Sequence, residues 1–160
     1  MTRAEENKRI EELCKRTMDK IKKEEARKRK VYVVIFGSRD FKDYKFFERR
    51  VNRFLRRVVK EEKIKHKQIV IVEGEASGAD KMAVKYALEN GYELKPFPAD
   101  WNKLGKRAGM VRNEEMMVWS SWGIGFWDGE SRGTKGMINL CKPKMEDRLE
   151  VIEYKTVNKK

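Results

Sequence analysis

Three glycine-bearing polar loops follow apolar runs, and one of them carries the residues best suited to hold an anion. Residues 122–127 are apolar and end in a turn over residues 128–136, after which apolar residues recur at helical spacing. A junction of strand, loop and helix directs backbone N–H groups and the positive end of the helix dipole at one spot, which favours a phosphate. A single turn of this kind is weak evidence, because many such turns bind nothing. Its candidate ligand-binding residues are Gly129, Arg132, Gly133 and Thr134, of which Thr134 could instead cap the helix.

Two further apolar runs, residues 31–36 and 68–73, end in similar loops. If the strands are parallel, all three loops lie at the same edge of the sheet, where open α/β sheets bind their ligands. Three converging loops are harder to explain as ordinary turns than one, so they favour a phosphate-bearing or nucleotide ligand. The candidate ligand-binding residues are Gly37, Ser38 and Arg39 in the first loop, and Gly74, Ser77, Gly78 and Asp80 in the second.

Four side chains of the chain suit a nucleotide. Arg39 and Arg112 could each clamp a phosphate with two hydrogen bonds, although a surface ion pair is the simpler alternative. Asn113 could read a base or a ribose hydroxyl. Trp101 could stack on a base, or it could close the core of the domain after Pro98.

The elements that position these residues alternate between strand and helix, which predicts an α/β fold with a doubly wound parallel sheet of about five strands. The ligand crevice of such a sheet lies where the strand order reverses, between the first and fourth strands. Asp43 is suited to cap the second helix, Asp80 could cap a helix beginning at Lys81, and Pro143 is expected to end the last helix. The five predicted strands are residues 31–36, 68–73, 92–97, 122–127 and 149–154.

Residues 1–30 form a charged amphipathic helical extension in this interpretation, and residues 31–160 form the ligand-binding domain. The narrow apolar stripe of the extension leaves two alternatives, packing on the domain or pairing with a second copy in a homodimer. A basic arm for nucleic acid is less favoured, since acids are interspersed with the basic residues. The stripe consists of Ile10, Leu13, Cys14, Thr17, Met18 and Ile21.

The composition narrows the class of protein. The chain has 160 residues, a formal net charge of +13 and 41% charged residues, so it should attract polyanions or nucleotides. No apolar run approaches the roughly 20 residues that span a bilayer, and the N-terminus is charged, so we predict a cytoplasmic protein without a membrane partner. Two cysteines, Cys14 and Cys141, and one histidine, His66, argue against a zinc site and a histidine-based triad. We predict no metal and no cofactor.

The ordered motifs resemble the YspA-like, YpsA-related branch of the SLOG superfamily. The resemblance runs from about Val31 to Tyr154 and implies a Rossmann-like fold and nucleotide-like ligands. The superfamily also includes the lonely-guy cytokinin-activating phosphoribohydrolases, DNA-processing proteins and sensor domains for ADP-ribose-derived signals. The motifs are Gly37-Ser-Arg-Asp-Phe41, Glu73-Gly-Glu-Ala-Ser-Gly-Ala-Asp80, Phe97-Pro-Ala-Asp-Trp101, Gly105-Lys-Arg-Ala-Gly109 with Arg112, Asn113 and Met116, and Arg132-Gly-Thr134.

The resemblance assigns roles to particular positions. Gly133 and Thr134 match the Gly-Thr pair of the superfamily's phosphate loop, and Arg112 stands where the lonely-guy enzymes have a functional arginine. Those enzymes carry a glutamate three residues after the threonine, and here that position is Met137. Hydrolysis of an N-glycosidic bond needs a group that stabilises the oxocarbenium ion or activates water, so the loss of this carboxylate weakens an enzymatic interpretation.

Three functions remain open at this point. The first is a module that binds a nucleotide or ADP-ribose-like ligand as a sensor or by sequestering it. The second is a nucleotide phosphoribohydrolase or N-glycosidase in which Arg112 contacts the phosphate and Asp80 or Asp100 serves as acid or base. The third is a nucleic-acid binder that uses the basic helices, which is the less favoured partner class.

Overall fold

A computed structural model of the protein describes residues 1–155. The chain divides into two compact units, Met1–Lys30 and Val31–Lys160, with the boundary between a charged helix and the first buried strand. Among the helices of the described range, none is both long enough and apolar enough to cross a lipid bilayer.

The first unit is a single helix, α1, which spans Arg3–Lys28. It begins with a capping box, in which the Thr2 hydroxyl accepts the Glu5 amide and the Glu5 carboxylate accepts the Thr2 amide. None of its residues is buried. The apolar stripe is therefore exposed, with Leu13 63% and Ile21 44% accessible.

The second unit is built on a sheet of five parallel strands in the order β3-β2-β1-β4-β5. This confirms the predicted α/β fold with a doubly wound parallel sheet, and the strand order reverses between β1 and β4. The central strands are continuous apolar runs because both of their faces are covered. The strands are β1 Val31–Gly37, β2 Ile69–Glu73, β3 Glu93–Pro96, β4 Trp122–Trp127 and β5 Leu149–Glu153.

Helices cover both faces of the sheet. Alternate residues of β1 divide between two cores: Val33 and Ile35 face α2 and α3, whereas Val34 and Phe36 face α5 and α6. Each large apolar side chain buried in these layers contributes about 1.5–3 kcal/mol, so the two cores hold the loops at the sheet edge in place. The helices are α2 Tyr44–Glu62, α3 Ala79–Asn90, α4 Trp101–Leu104, α5 Ala108–Trp119 and α6 Arg132–Met145.

Three local expectations differ from the structure. The third strand is shorter than residues 92–97, since only Glu93–Pro96 pairs with β2. Helix α3 begins at Ala79, two residues earlier than expected, with Gly78 as its N-cap, so Asp80 lies inside the first turn and is not the cap. Helix α6 continues through Pro143 to Met145, because a proline in the last turn removes only one hydrogen bond before the helix ends. The predicted cap Asp43 is present and accepts the Phe46 amide at 3.1 Å.

Candidate functional site

Three adjoining cavities lie at the carboxyl ends of β1, β2 and β4. The central cavity, of about 90 Å³, is bordered by the ends of β1, the β2–α3 loop, α5 and the start of α6. A β2-side cavity of about 450 Å³ and an α6-side cavity of about 510 Å³ open beside it. Arg39 and Arg112 line all three cavities, so two guanidinium groups stand at the junction. The central cavity is lined by Phe36, Gly37, Arg39, Ala76, Asp80, Arg112, Asn113, Met116, Ser131, Gly133, Thr134 and Met137.

Helix α6 begins at the central cavity, and its first turn carries no acidic residue. Ser131 is the N-cap, with its Oγ 3.5 Å from the Thr134 amide, so Thr134 is not the cap. Asp128 stands before the cap and accepts the Ser131 amide at 2.7 Å. The first amides of a helix, here those of Arg132 and Gly133, have no partner within the helix. The positive end of α6 is therefore available to an anion in the cavity.

The β2–α3 loop is organised around its own charged groups. The Asp80 carboxylate accepts the Ala76 amide at 3.1 Å, and Arg112 Nη1 donates to the Gly74 carbonyl at 2.8 Å. A Cβ on Gly74 would lie 2.9 Å from Arg112 Cδ and 3.1 Å from Asp80 Oδ2. Only glycine leaves room for both side chains, which explains why this position carries no side chain.

Two predicted residues hold the loops together without lining any of the three cavities. Ser38 is 2% exposed; its Oγ accepts the Asp128 amide at 3.2 Å, and its amide donates to the Phe126 carbonyl. Gly78 has a φ of +71°, and a Cβ there would meet the carbonyl oxygens of Ser38 and Arg39. Gly129, with a φ of +82°, makes a turn against the Glu153 carboxylate and likewise lies outside the cavities.

The two arginines differ in how strongly they are held. Arg112 is half-buried, and its Nε donates to Asn113 Oδ1 at 3.3 Å. Burial lowers the pKa of Arg112, Asp80 opposes that change, and the nearby charge of Arg39 adds to it. Arg39 is exposed and forms no hydrogen bond or ion pair with any of residues 1–155. An anion placed between them would relieve the mutual repulsion of the two guanidinium groups.

Two buried carboxyl groups stand behind the arginines. Burial, with the charges of Asp80 and Glu75, raises the pKa of Glu73 to about 7, against the effect of the Glu75 amide, which donates to Oε2. Glu73 Oε1 is buried and has no hydrogen-bond partner within the described range. Burial also raises the pKa of Asp80, and the Ala76 amide and Arg112 oppose that change. Glu73 is the last residue of β2, so its place at the edge of the sheet follows from the apolar run that predicts this strand.

The remaining predicted residues divide between the cavities and the surface. Ser77 and Gly74 line the β2-side cavity, and Arg132 lines the α6-side cavity. Trp101 lines both flanking cavities and is 51% exposed, so it does not close the core. Asp100 caps α4 by accepting the Lys103 amide at 3.1 Å and lines none of the three cavities.

The sequence resemblance aligns Met137 with the glutamate of the lonely-guy enzymes. This methionine is 1% exposed and belongs to the core between the sheet and α5 and α6, while it also borders the central cavity. A thioether can neither activate water nor carry a negative charge, so this position offers no acid–base group.

Sequence reasoning missed one wall of the α6-side cavity. Met110 lines it from α5, and Asn139 and Leu140 line it from α6. The signal was present, since Gly133, Gly136 and Leu140 repeat at spacings of three and four and therefore share one helix face. That face becomes informative only when the neighbouring helix is known.

Residues 31–104 match the family model described as the YspA, cpYpsA-related SLOG family. This match confirms the resemblance over that part of the chain, which contains β1 through α4 and the first two glycine loops. Arg112 and the start of α6 lie beyond it. No curated protein sequence matches the chain.

Two solved structures are similar to the chain. DNA processing protein A from Helicobacter pylori, described for its single-stranded DNA binding mode, has 19% identity and a TM-score of 0.53, covering 82% of this chain and 69% of that protein. DNA processing protein A from Streptococcus pneumoniae has 15% identity and a TM-score of 0.47, covering 77% of this chain and 58% of that protein. At such identities the first of these similarities concerns the Rossmann-like fold alone.

Proposed function

Starting from the SLOG-family match of residues 31–104, we propose that the protein binds a nucleotide or ADP-ribose-like ligand at the carboxyl edge of its sheet, as a sensor or by sequestering the ligand. One observation carries the proposal: Arg39, Arg112 and the acid-free start of α6 border the same central cavity. That cavity, of about 90 Å³, suits a phosphate group, and the flanking cavities offer room for the rest of a nucleotide.

In the proposed complex the phosphate oxygens accept the amides of Arg132 and Gly133 and face the two guanidinium groups. Arg112 is pre-organised for this role because the Gly74 carbonyl and Asn113 already hold its side chain. Arg39 is exposed and must be ordered by the ligand, so each of its hydrogen bonds contributes less to the binding free energy than one from Arg112. Charge-assisted hydrogen bonds of this kind contribute about 1.5–3 kcal/mol each.

A hydrolase is the first alternative, and Asp80 is the residue that would have to carry it. Asp80 borders the central cavity, whereas Asp100 caps α4 and lines none of the three cavities. The Asp80 carboxylate is already engaged with the Ala76 amide, and Met137 supplies no acid or base. These observations favour binding over turnover. Product formation from a nucleotide panel that disappears in Asp80→Asn would reverse this preference.

A nucleic-acid binder is the second alternative, and the basic surface favours it. Some arginines of α2 are already paired: Arg50 contacts Glu150 at 3.1 Å and Arg57 contacts Glu61 at 3.0 Å. Binding to a polyanion falls steeply with salt because counterions are released. A titration with single-stranded oligonucleotide between 50 and 200 mM salt therefore separates this function from nucleotide binding at one site, for which a much weaker dependence is expected.

The deciding experiment combines ligand release with titration. The protein is purified at high salt and denatured, and released small molecules are identified by mass spectrometry; nucleotides and ribose 5-phosphate are then titrated calorimetrically. We expect Arg39→Ala to weaken binding roughly tenfold, and the matched control Arg53→Ala, an exposed arginine of α2, to leave it unchanged. Absence of both a released ligand and any binding across the panel would refute the proposed function.

We also propose that the stripe of α1 pairs with a second copy of the chain. Ile10, Cys14, Thr17 and Ile21 follow the 4-3-4 spacing of a coiled-coil seam, and all are exposed. Light scattering of Ile21→Glu should report a smaller particle than wild type, whereas Lys15→Glu, which lies off the seam, should not. A wild-type monomer at high protein concentration would contradict this contact. The cytoplasmic location stays a prediction.

A further inference from the structure

The α6-side cavity differs in character from the central cavity that it adjoins. The two share Arg39, Arg112, Asn113 and Gly133, so a ligand with an anionic group in the central cavity extends directly into the larger one. The walls of the α6-side cavity are mainly apolar. They are formed by the side chains of Trp101, Met110 and Leu140 and by the bare backbone at Gly109 and Gly136.

We propose that this cavity is a nucleobase subsite that selects adenine, with Trp101 as the stacking surface and Asn139 as the residue that reads the base edge. The inference rests on the proposed function and deepens it, because it names the base and the residues that recognise it. Neither Asn139 nor Met110 belongs to the motifs on which the family resemblance depends.

The stacking surface is exposed although it is large and apolar. Trp101 is 51% exposed and Met110 is 59% exposed, so a planar base bound here would remove apolar side-chain surface from water. A Cβ on Gly109 would lie 3.4 Å from Trp101 Cη2, so the α5 backbone stands close beside the indole. Stacking of a base on an aromatic side chain contributes about 1–3 kcal/mol. A methionine beside the ring adapts its shape to the ring edge.

The two amide side chains of the cavity offer different hydrogen-bonding groups. Asn113 Oδ1 accepts from Arg112 Nε at 3.3 Å, which leaves its NH₂ group as a donor. Asn139 is exposed, and its amide forms no hydrogen bond with any residue that the structure describes. It therefore presents both a donor and an acceptor. A carboxamide pairs with adenine through two hydrogen bonds, to N6 and N7, whereas guanine offers two acceptors at the same edge.

The position of Asn139 along α6 fits this role. It stands six residues after Gly133, which corresponds to about 9 Å along the helix axis. A phosphate at the start of α6 and a base edge at Asn139 are therefore separated by a distance of the order of a ribose and a base. Arg132 also lines the cavity and is the side chain that would favour guanine, so the preference between the two purines tests the assignment.

The experiment is calorimetric titration of the full chain with ribose 5-phosphate, AMP, GMP and ADP-ribose. We expect AMP to bind at least tenfold more tightly than ribose 5-phosphate and roughly tenfold more tightly than GMP. Trp101→Ala should lower the affinity for AMP toward that for ribose 5-phosphate and leave ribose 5-phosphate unchanged. Asn139→Leu should abolish the discrimination between AMP and GMP. Asn102→Leu, the same substitution at an exposed position outside the cavities, is the matched control.

The outcomes separate the two proposals. If ribose 5-phosphate, AMP and GMP bind equally, or if neither variant changes their ratio, the base subsite is refuted and the anion site stands. A preference for GMP refutes the assignment to adenine and Asn139. If none of the four compounds binds, the base subsite fails together with the proposed function. Circular dichroism of each variant, compared with Asn102→Leu, establishes that a lost preference does not reflect unfolding.

Discussion

The β2–α3 and β4–α6 loops look alike in sequence and differ in the structure. Each leaves a buried strand, contains glycine and opens a helix of at least twelve residues. The β2–α3 loop is bound by an anion of the chain itself. Asp80 lies in the first turn of α3, and its carboxylate accepts the Ala76 amide of the loop. The β4–α6 loop is capped by Ser131, and the first turn of α6 has no acidic residue.

This difference teaches that a glycine-rich turn after a strand does not by itself define a phosphate site. What matters is whether a carboxylate of the chain already occupies the positive end of the helix. In the β2–α3 loop that place is taken, so the loop serves as a wall that positions Arg112. At α6 the Asp128 carboxylate accepts the amides of Glu130 and of the N-cap Ser131, and the amides of Arg132 and Gly133 in the first turn are left for the incoming anion.

The loss of a glycine should destabilise the fold at the β2–α3 loop and have little effect at the start of α6. Gly78→Ala is expected to destabilise the fold by about 3 kcal/mol, since its φ of +71° is strained for alanine and the new Cβ would lie 2.7 Å from the Arg39 carbonyl oxygen. Gly133→Ala should stay within about 0.5 kcal/mol of wild type, because nothing lies within 4 Å of its Cβ position. Urea unfolding measures both, and equal stabilities would contradict the contrast.

Placing an acid at the start of α6 should make it resemble α3. Gly133→Asp is expected to weaken the binding of ribose 5-phosphate roughly tenfold, because the carboxylate competes with the ligand for the positive end of the helix. Gly133→Ala is the control for the loss of glycine alone. Calorimetric titration of the two variants gives the comparison, and equal affinities would place the anion elsewhere.

A smaller contrast concerns pH, since the two buried acids, Glu73 and Asp80, flank the β2–α3 loop. The pKa of Glu73 is raised to about 7 in the folded chain, from 4.5. Its protonated form therefore stabilises the fold fully below about pH 4.5, and this contribution is lost as the pH rises through 7. The melting temperature of wild type should fall by a few degrees more between pH 6 and 8 than that of Glu73→Gln.

Asp80 has a pKa raised in the same direction, so Glu73→Gln should reduce the pH dependence without abolishing it. Glu130→Gln, an exposed acid of the β4–α6 loop, provides the matched control and should keep the wild-type slope. Parallel melting profiles for wild type and Glu73→Gln would show that the buried carboxyl group does not titrate in this range.

Much of the fold could be predicted because its signals are local. Unbroken apolar runs such as residues 31–36 and 122–127 predicted the central strands, and the alternation with helical segments predicted the doubly wound sheet. The residues at which helices and strands begin and end were harder to predict. Asp80 has the side chain of a cap, yet α3 starts earlier, because Gly78 adopts a conformation that few other residues allow.

Of the candidate site, the sequence by itself determined which residue types stand after each strand, and hence that arginine, glycine and hydroxyl groups gather at one sheet edge. Only the tertiary structure decided what each of these residues does. Ser38 and Gly78 join loops. Trp101 is exposed, and Asn139 lines a cavity together with residues of α5. The reason is physical. Backbone preference and hydrophobic periodicity act between near neighbours in the chain, whereas a cavity wall depends on strand order and on helices packed across long sequence separations.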